Sequence, residues 1–266
     1  MNKSSLININ IISKKIRWDI INQSYKKQSG HLGGCLSCVD IIFLIYKYFL
    51  KKEDTFVLSK GHCALALYSV LKNLKKISSN DLEKFLVEGS FYGEHPSPKL
   101  NNKLFSFSTG SLGHGLGFGS GIGYANKLGK KSNKIYILIS DGELNCGTTW
   151  EAIMLAGKLK LDNVCAILDF NKLQATGKSE EILNLKSLES RFKSFGWNVI
   201  RGSGHKYNEM SKKFHKLINL KNKPQIYIAD TIKGKGISFM EGDNNWHYRS
   251  PSKDDLNKIK KELDLI

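Results

Sequence analysis

Five short runs of apolar and β-branched residues recur along the chain: Thr55–Ser59 (TFVLS), Lys134–Ser140 (KIYILIS), Val164–Asp169 (VCAILD), Asn198–Ile200 and Gln225–Asp230 (QIYIAD). Between them, over Val39–Leu50, Ala64–Leu74 and Trp150–Leu159, the apolar positions change to a helical period. Strands that are apolar on both faces belong to a parallel sheet covered on both sides. The pattern predicts a doubly wound, mainly parallel α/β sheet with helices on both faces. No internal repeat and no Pro/Ser-rich linker interrupts it, so residues 1–266 read as one domain. Ligands of such sheets sit beyond the carboxyl ends of the strands, and those positions carry the candidate chemistry.

Composition narrows the function classes. A hydrophobic fraction of 41% in 266 residues suffices for one sizeable core. The net charge of +17 invites a nucleic-acid or membrane reading, but only four of the 41 basic residues are arginines, the residue favoured for base and phosphate recognition. The lysines are spread along the whole chain among many Asn and Ile, as codon bias would spread them. No nucleic acid and no membrane is therefore expected as a partner. The longest unbroken apolar run is the six residues Ile41–Tyr46, against about 18–20 for a membrane span. The first residues lack the apolar core of a secretory signal, so an intracellular, cytoplasmic protein is expected. Five scattered cysteines form no disulfide framework. Cys35-x-x-Cys38 has no second pair and leads into an apolar helix, which suits packing.

The second run ends in Ser140-Asp141-Gly142, and the third is followed by Asn171, 30 residues beyond Asp141. Asp-Gly alone is a common turn. Two adjacent strand tips carrying Asp141 and Asn171 could instead share one hard cation beside a diphosphate, with a loop carbonyl completing the oxygen shell. The glycine-rich stretch 110–123 never shows the i, i+2, i+5 spacing of a dinucleotide fingerprint. Gly115, Gly119 and Gly123 fall on one helix face and suit close packing, whereas Thr109–His114 suits a loop that approaches a ligand. His31, His62, His95 and His247 lie beside Gly or Pro or at strand ends, where they could serve phosphate as cations or transfer protons. His215, in a lysine-rich helical stretch, reads as solvent-facing.

Taken together, Ser29-Gly30-His31, Val57–His62, Thr109–Gly115, Asp141-Gly142 with Asn171, and Thr231–Gly236 followed by Trp246-His247 resemble transketolases in order and spacing, from about Ser24 to Pro251. The resemblance implies thiamine diphosphate and Mg²⁺, with Ca²⁺ or Mn²⁺ as substitutes. Asp141, Asn171 and the Leu173 carbonyl are then the metal ligands. Gly142, His62 and His247 contact the diphosphate, Gly110, Ser111 and Leu112 lie beside the aminopyrimidine, and His31, His95 and His247 face the sugar. The chain matches only the first of the family's three domains, so the resemblance implies the N-terminal subunit of a split transketolase. A C-terminal subunit would carry the pyrimidine-binding domain and its activating glutamate, in a heterotetramer acting on sugars or sugar phosphates.

Two positions depart from the family pattern. Ser140 replaces the first Gly of Gly-Asp-Gly, and Cys146 stands where relatives usually carry the Glu of an acidic network between the two cofactors. Glu151, its downstream companion, is retained and is expected to act in catalysis. Competing readings are a related carboligase for a specialised sugar, a deoxyxylulose-phosphate-synthase-like enzyme, and a non-catalytic remnant that binds cofactor or a partner.

Overall fold

The computed structural model describes residues 3–97, 107–183 and 186–265. In chain order it comprises α1 (Lys3–Lys27), α2 (Leu32–Leu44) with one wider helical turn (Ile45–Phe49), β1 (Thr55–Leu58), α3 (Ala64–Asn73), α4 (Ser79–Glu83), α5 (Gly115–Leu128), β2 (Ile135–Ser140), α6 (Gly147–Lys158), β3 (Val164–Phe170), α7 (Ser179–Ile182), α8 (Leu188–Ser194), β4 (Asn198–Ser203), α9 (Tyr207–Ile218), β5 (Gln225–Asp230) and α10 (Lys253–Glu262).

The five strands form one parallel sheet in the order β1-β2-β3-β5-β4. Because side chains alternate across a strand, β2 sends Tyr136 and Leu138 to one face and Ile135, Ile137 and Ile139 to the other. The first set packs with α1, α2, α3 and α9, the second with α5, α6 and α8. These two cores are the doubly wound arrangement that the continuous apolar runs predict. In register, Ser140 on β2 lies opposite Asp169 on β3, which brings the tips that precede Asp141 and Asn171 side by side.

Helix α2 begins seven residues before the helical stretch read from Val39. Its first turn contains Gly33 and Gly34, residues that usually weaken a helix. Here they permit contact: a Cβ on Gly34 would meet the Cys63 sulfur at 3.0 Å, and one on Gly33 the Trp246 carbonyl at 3.2 Å. Strand β4 runs on to Ser203 through Arg201 and Gly202, because an edge strand tolerates polar residues that an apolar-run criterion ignores.

The run Leu32–Phe49 has a mean hydropathy of 1.6 over 18 residues and is long and apolar enough to cross a bilayer, which the six-residue criterion did not register. It is 78% buried inside the fold, packed against both α1 and α3. Cys35 and Cys38 are fully buried within it and pack beside Cys63, in agreement with a packing role. Within α5, a Cβ on Gly119 would collide with Ile137 and one on Gly123 with Val164, so these glycines bring the helix down onto β2 and β3.

Candidate active site

One cavity of about 310 Å³ opens at the carboxyl ends of β1, β2 and β3. Asp141 and Gly142 enter it directly after β2, and Asn171 and Leu173 after β3. The chain turns back after β3 through Lys172, held at φ 68°, and Leu173 bridges Lys178 in a short antiparallel pair. His62 arrives in a single turn of helix behind β1, His31 caps the start of α2, and His247 ends a short turn at Asn244–His247. His31 is the hub of the histidines, with ring centroids 5.1 Å from His62, 5.2 Å from His247 and 6.4 Å from His95. Gly110 also lines the cavity, and an added Cβ would sit 2.8 Å from the His95 ring, so a larger residue there would displace that histidine.

Ten of the twelve residues singled out from sequence therefore meet around this cavity. Ser111 is exposed and outside the lining, although its neighbours Gly110 and Leu112 are in it. Glu151 is not in the cavity either. It sits on the exposed face of α6. Cys146 is half-buried just before α6, against Gly113. His215 is exposed, as expected.

Three of the four histidines are held toward the neutral form in the free cavity. Burial, reinforced by the ammonium of Lys233 and by His31, brings His247 down to about 3, and burial with Lys60 holds His62 well below the usual imidazole range. His31 is lowered too, chiefly by burial. All three are neutral at pH 7. The positive charge comes instead from Lys60 and Lys233, only 1% and 2% exposed and both in the lining. Lys233 donates to the Asn244 side chain at 2.6 Å and to the Gln174 carbonyl at 3.1 Å. Burial and the repulsion of Lys60 lower its pKa to about 8.

Lys60 pairs with Asp169, the last inward residue of β3, and Asp169 also accepts hydrogen bonds from Ser37 at 2.6 Å and from Thr231. Asp169 thereby ties α2, β1 and the segment after β5 to the tip of β3. A second buried carboxylate, Glu143, accepts hydrogen bonds from Ser59 and from the Gly113 amide at 3.1 Å, fastening the ligand-approaching loop. Sequence reasoning quoted the motifs around Lys60 and Lys233 but gave neither residue a role. The signal was a lysine beside glycine immediately after a buried strand.

The donor set decides whether the cavity suits a diphosphate and a hard cation. Asp141 is buried, with one oxygen accepting from Ser179 and the other from the Gly142 amide, both at 2.9 Å. Burial raises its pKa to about 6, so the site favours a cation that would restore the charged form. Among the described residues no cluster of three or more His, Cys, Asp or Glu could hold a metal. One carboxylate with amide and carbonyl oxygens suits a hard ion that takes its remaining ligands from phosphate. Four lining residues also carry a buried polar atom without a hydrogen-bond partner among the described residues: Nδ1 of His31, Oγ of Ser140, Nε2 of Gln174 and Nδ1 of His247. A Glu94 oxygen stands 3.5 Å from the first of these without forming a hydrogen bond. The residues present fit the group.

Residues 9–265 match the sequence model described as transketolase, thiamine diphosphate binding domain. The chain belongs to the transketolase family. Among its relatives is one of the subunits of the apulose-4-phosphate transketolase of Phocaeicola vulgatus, 35% identical over 260 residues, covering 94% of this chain and 92% of the relative. Human transketolase is 34% identical over 272 residues. The match covers 94% of this chain but only 41% of the human enzyme, so the chain spans about two fifths of the long transketolases it resembles. The crystal structure of Campylobacter jejuni transketolase superposes with a TM-score of 0.86 at 27% identity, covering 99% of this chain and 43% of that one. The transketolase fold, with its thiamine-diphosphate-binding domain, accounts for the sheet order and for the cavity at its carboxyl edge.

Proposed function

We propose that this chain is the diphosphate-binding subunit of a split transketolase, which moves a two-carbon ketol unit from a ketose or ketose phosphate to an aldose or aldose phosphate. The observation that carries the reading is the cavity itself, where one carboxylate and neutral oxygens on adjoining strand tips face two lysines and four histidines. When bound, thiamine diphosphate supplies the electron sink that lets a carbon–carbon bond next to a carbonyl break and reform. Everything else is assigned to the protein. Asp141, Asn171 and the Leu173 carbonyl hold the divalent cation, and Gly142 lets the backbone approach the diphosphate. His62 and His247 donate to it as neutral imidazoles, with Lys233 as the nearby charge. Gly110–Leu112 form the floor beside the aminopyrimidine. His31, His95 and His247 hold and move protons at the sugar hydroxyls, and the Nδ1 atoms of His31 and His247, without a hydrogen-bond partner among the described residues, are open to such a contact.

The partner is a chain carrying the pyrimidine-binding domain, most simply with two copies of each chain in the assembly. Two observations support this. The relative from Phocaeicola vulgatus is itself named as one subunit of its enzyme. The outer faces of α5 and α6 expose Phe118, Tyr124, Leu128, Met154 and Leu155, each at 41–67% of full accessibility, an apolar patch on which a second chain can dock. Glu151 lies on this face, where only an assembled enzyme would bring it near a cofactor.

Co-purification from the host with a tagged chain should recover a second protein and thiamine diphosphate. The pair should transfer ketol units between sugar phosphates, and the isolated chain loaded with Mg²⁺ and thiamine diphosphate should not. Turnover by the isolated chain would overturn the split-enzyme reading, and use of pyruvate as donor would replace ketol transfer by a decarboxylating ligation.

A further inference from the structure

Away from the cavity, donors from three parts of the chain converge on one carboxylate. Asp40 on α2 is 3% exposed. Arg17 on α1 grips it with two parallel hydrogen bonds of 2.9 and 2.7 Å. Ser13 and Tyr207 donate to it at 2.9 and 2.8 Å. The remaining partner is His205, in the turn between β4 and α9, with Nδ1 2.9 Å from Asp40. An Arg–Asp fork with two hydroxyl donors already satisfies a buried carboxylate, so the imidazole calls for its own explanation.

That explanation lies at its other nitrogen. Nε2 is 2.9 Å from the Ile232 amide nitrogen, a group that can only donate. Nε2 must therefore accept, the proton sits on Nδ1, and Nδ1 donates to Asp40. Ile232 immediately precedes Lys233, whose ammonium lies in the cavity. On the far side of Lys233, Arg17 Nε donates to the Lys235 carbonyl at 2.9 Å. The Arg17–Asp40–His205 network thus grips the backbone on both sides of the one lysine of this segment that enters the site.

We propose that His205 is a positioning residue: held by Asp40 as the neutral Nδ1–H tautomer, it anchors the Ile232 amide and so sets where the Lys233 ammonium meets the diphosphate. This rests on the reading that the cavity receives the diphosphate. It assigns a role to a histidine that sequence reasoning passed over and that touches neither cofactor nor substrate.

Two variants separate the two ends of the imidazole. His205→Asn keeps a donor near Nδ1 but has nothing at Nε2, whereas His205→Gln places an acceptor near Nε2. In calorimetric titration of Mg²⁺–thiamine diphosphate into the full chain, His205→Asn should bind roughly tenfold more weakly and His205→Gln within about threefold of wild type, as expected for one hydrogen bond at a binding site. Independently of any variant, long-range ¹⁵N–¹H correlation should show Nδ1 protonated and Nε2 bare at neutral pH, and the Ile232 amide should exchange slowly with solvent. Wild-type affinity in His205→Asn, equal weakening in both variants, or a protonated Nε2 would each overturn the proposal. A wild-type chain that binds no Mg²⁺–thiamine diphosphate overturns the cavity reading instead, and the tautomer and amide exchange then still decide the His205–Ile232 bond.

Discussion

Asp141→Asn should abolish Mg²⁺-dependent binding of thiamine diphosphate, weakening it by at least about a hundredfold, since loss of an outer-sphere partner alone costs a metal site roughly 10–100-fold. The same substitution should make the cofactor-free chain more stable at pH 7.5. The two effects have one origin. Burial raises Asp141 from 3.8 to about 6, with Asp169 nearby adding to the rise against the hydrogen bonds from Ser179 and the Gly142 amide. A carboxyl whose folded pKa lies above its unfolded value favours the fold fully below about pH 4, and that contribution is lost as pH climbs to 6. Above that range the cofactor-free chain carries a desolvated charge that asparagine removes, a gain of about 1–3 kcal/mol, because each tenfold change in proton affinity is worth about 1.36 kcal/mol. Urea melts of both proteins at pH 4.5 and 7.5, with and without Mg²⁺ and cofactor, check it. An Asp141→Asn chain that is no more stable than wild type at pH 7.5 would refute the assignment of Asp141 as a strained, cation-awaiting group.

Asp169→Ala should act in the opposite direction, destabilising the chain by about 3–5 kcal/mol, the cost of leaving one member of a buried ion pair alone. Asp169 is fully buried, and Lys60 is 1% exposed. Burial alone would push the Asp169 carboxyl up, but Lys60 and the Ser37 and Thr231 hydroxyls hold it below the usual range. The pair therefore contributes its full stability above about pH 4, and the contribution fades as the pH drops through the lower folded pKa of Asp169. The difference in melting temperature from wild type, on the order of 10 °C at pH 7, should shrink in acid. Replacing both partners, as Lys60→Met with Asp169→Leu, should recover much of the loss of stability without restoring cofactor binding, because the cavity then lacks the Lys60 charge. Thermal melts of the single and double variants between pH 3.5 and 8 test the first point, and calorimetric titration of the double variant with Mg²⁺–thiamine diphosphate tests the second.

The fold was legible because its signal is local. Each of the five strands begins in an apolar or β-branched run, and four of them lie within one residue of the sequence reading at either end. The exceptions obey a different rule. The extension of β4 through Arg201 depends on its place at the sheet edge, and the start of α2 at Leu32 depends on neighbours that need Gly33 and Gly34 to be small. Neither placement is written in the segment itself.

In the site, the sequence alone determined which residues could ligate and where they would emerge: Asp141 and Asn171 just past neighbouring strands, four histidines beside glycine or proline or at strand ends, and Gly110 in a loop built to come close. Only the tertiary structure decided their protonation states and their supports. Burial lowers both His62 and His247, and His247 is lowered further by the ammoniums of Lys233 and Lys60, the latter brought from far away in the chain. The same is true of Asp169 under Lys60 and of Asp40 between Arg17 and His205, pairs separated by 109, 23 and 165 residues. Hydrophobic periodicity is set by neighbours within a few residues and can be read along the chain. Desolvation and charge pairing are set by whatever the closed fold packs together, and exist only once it has closed.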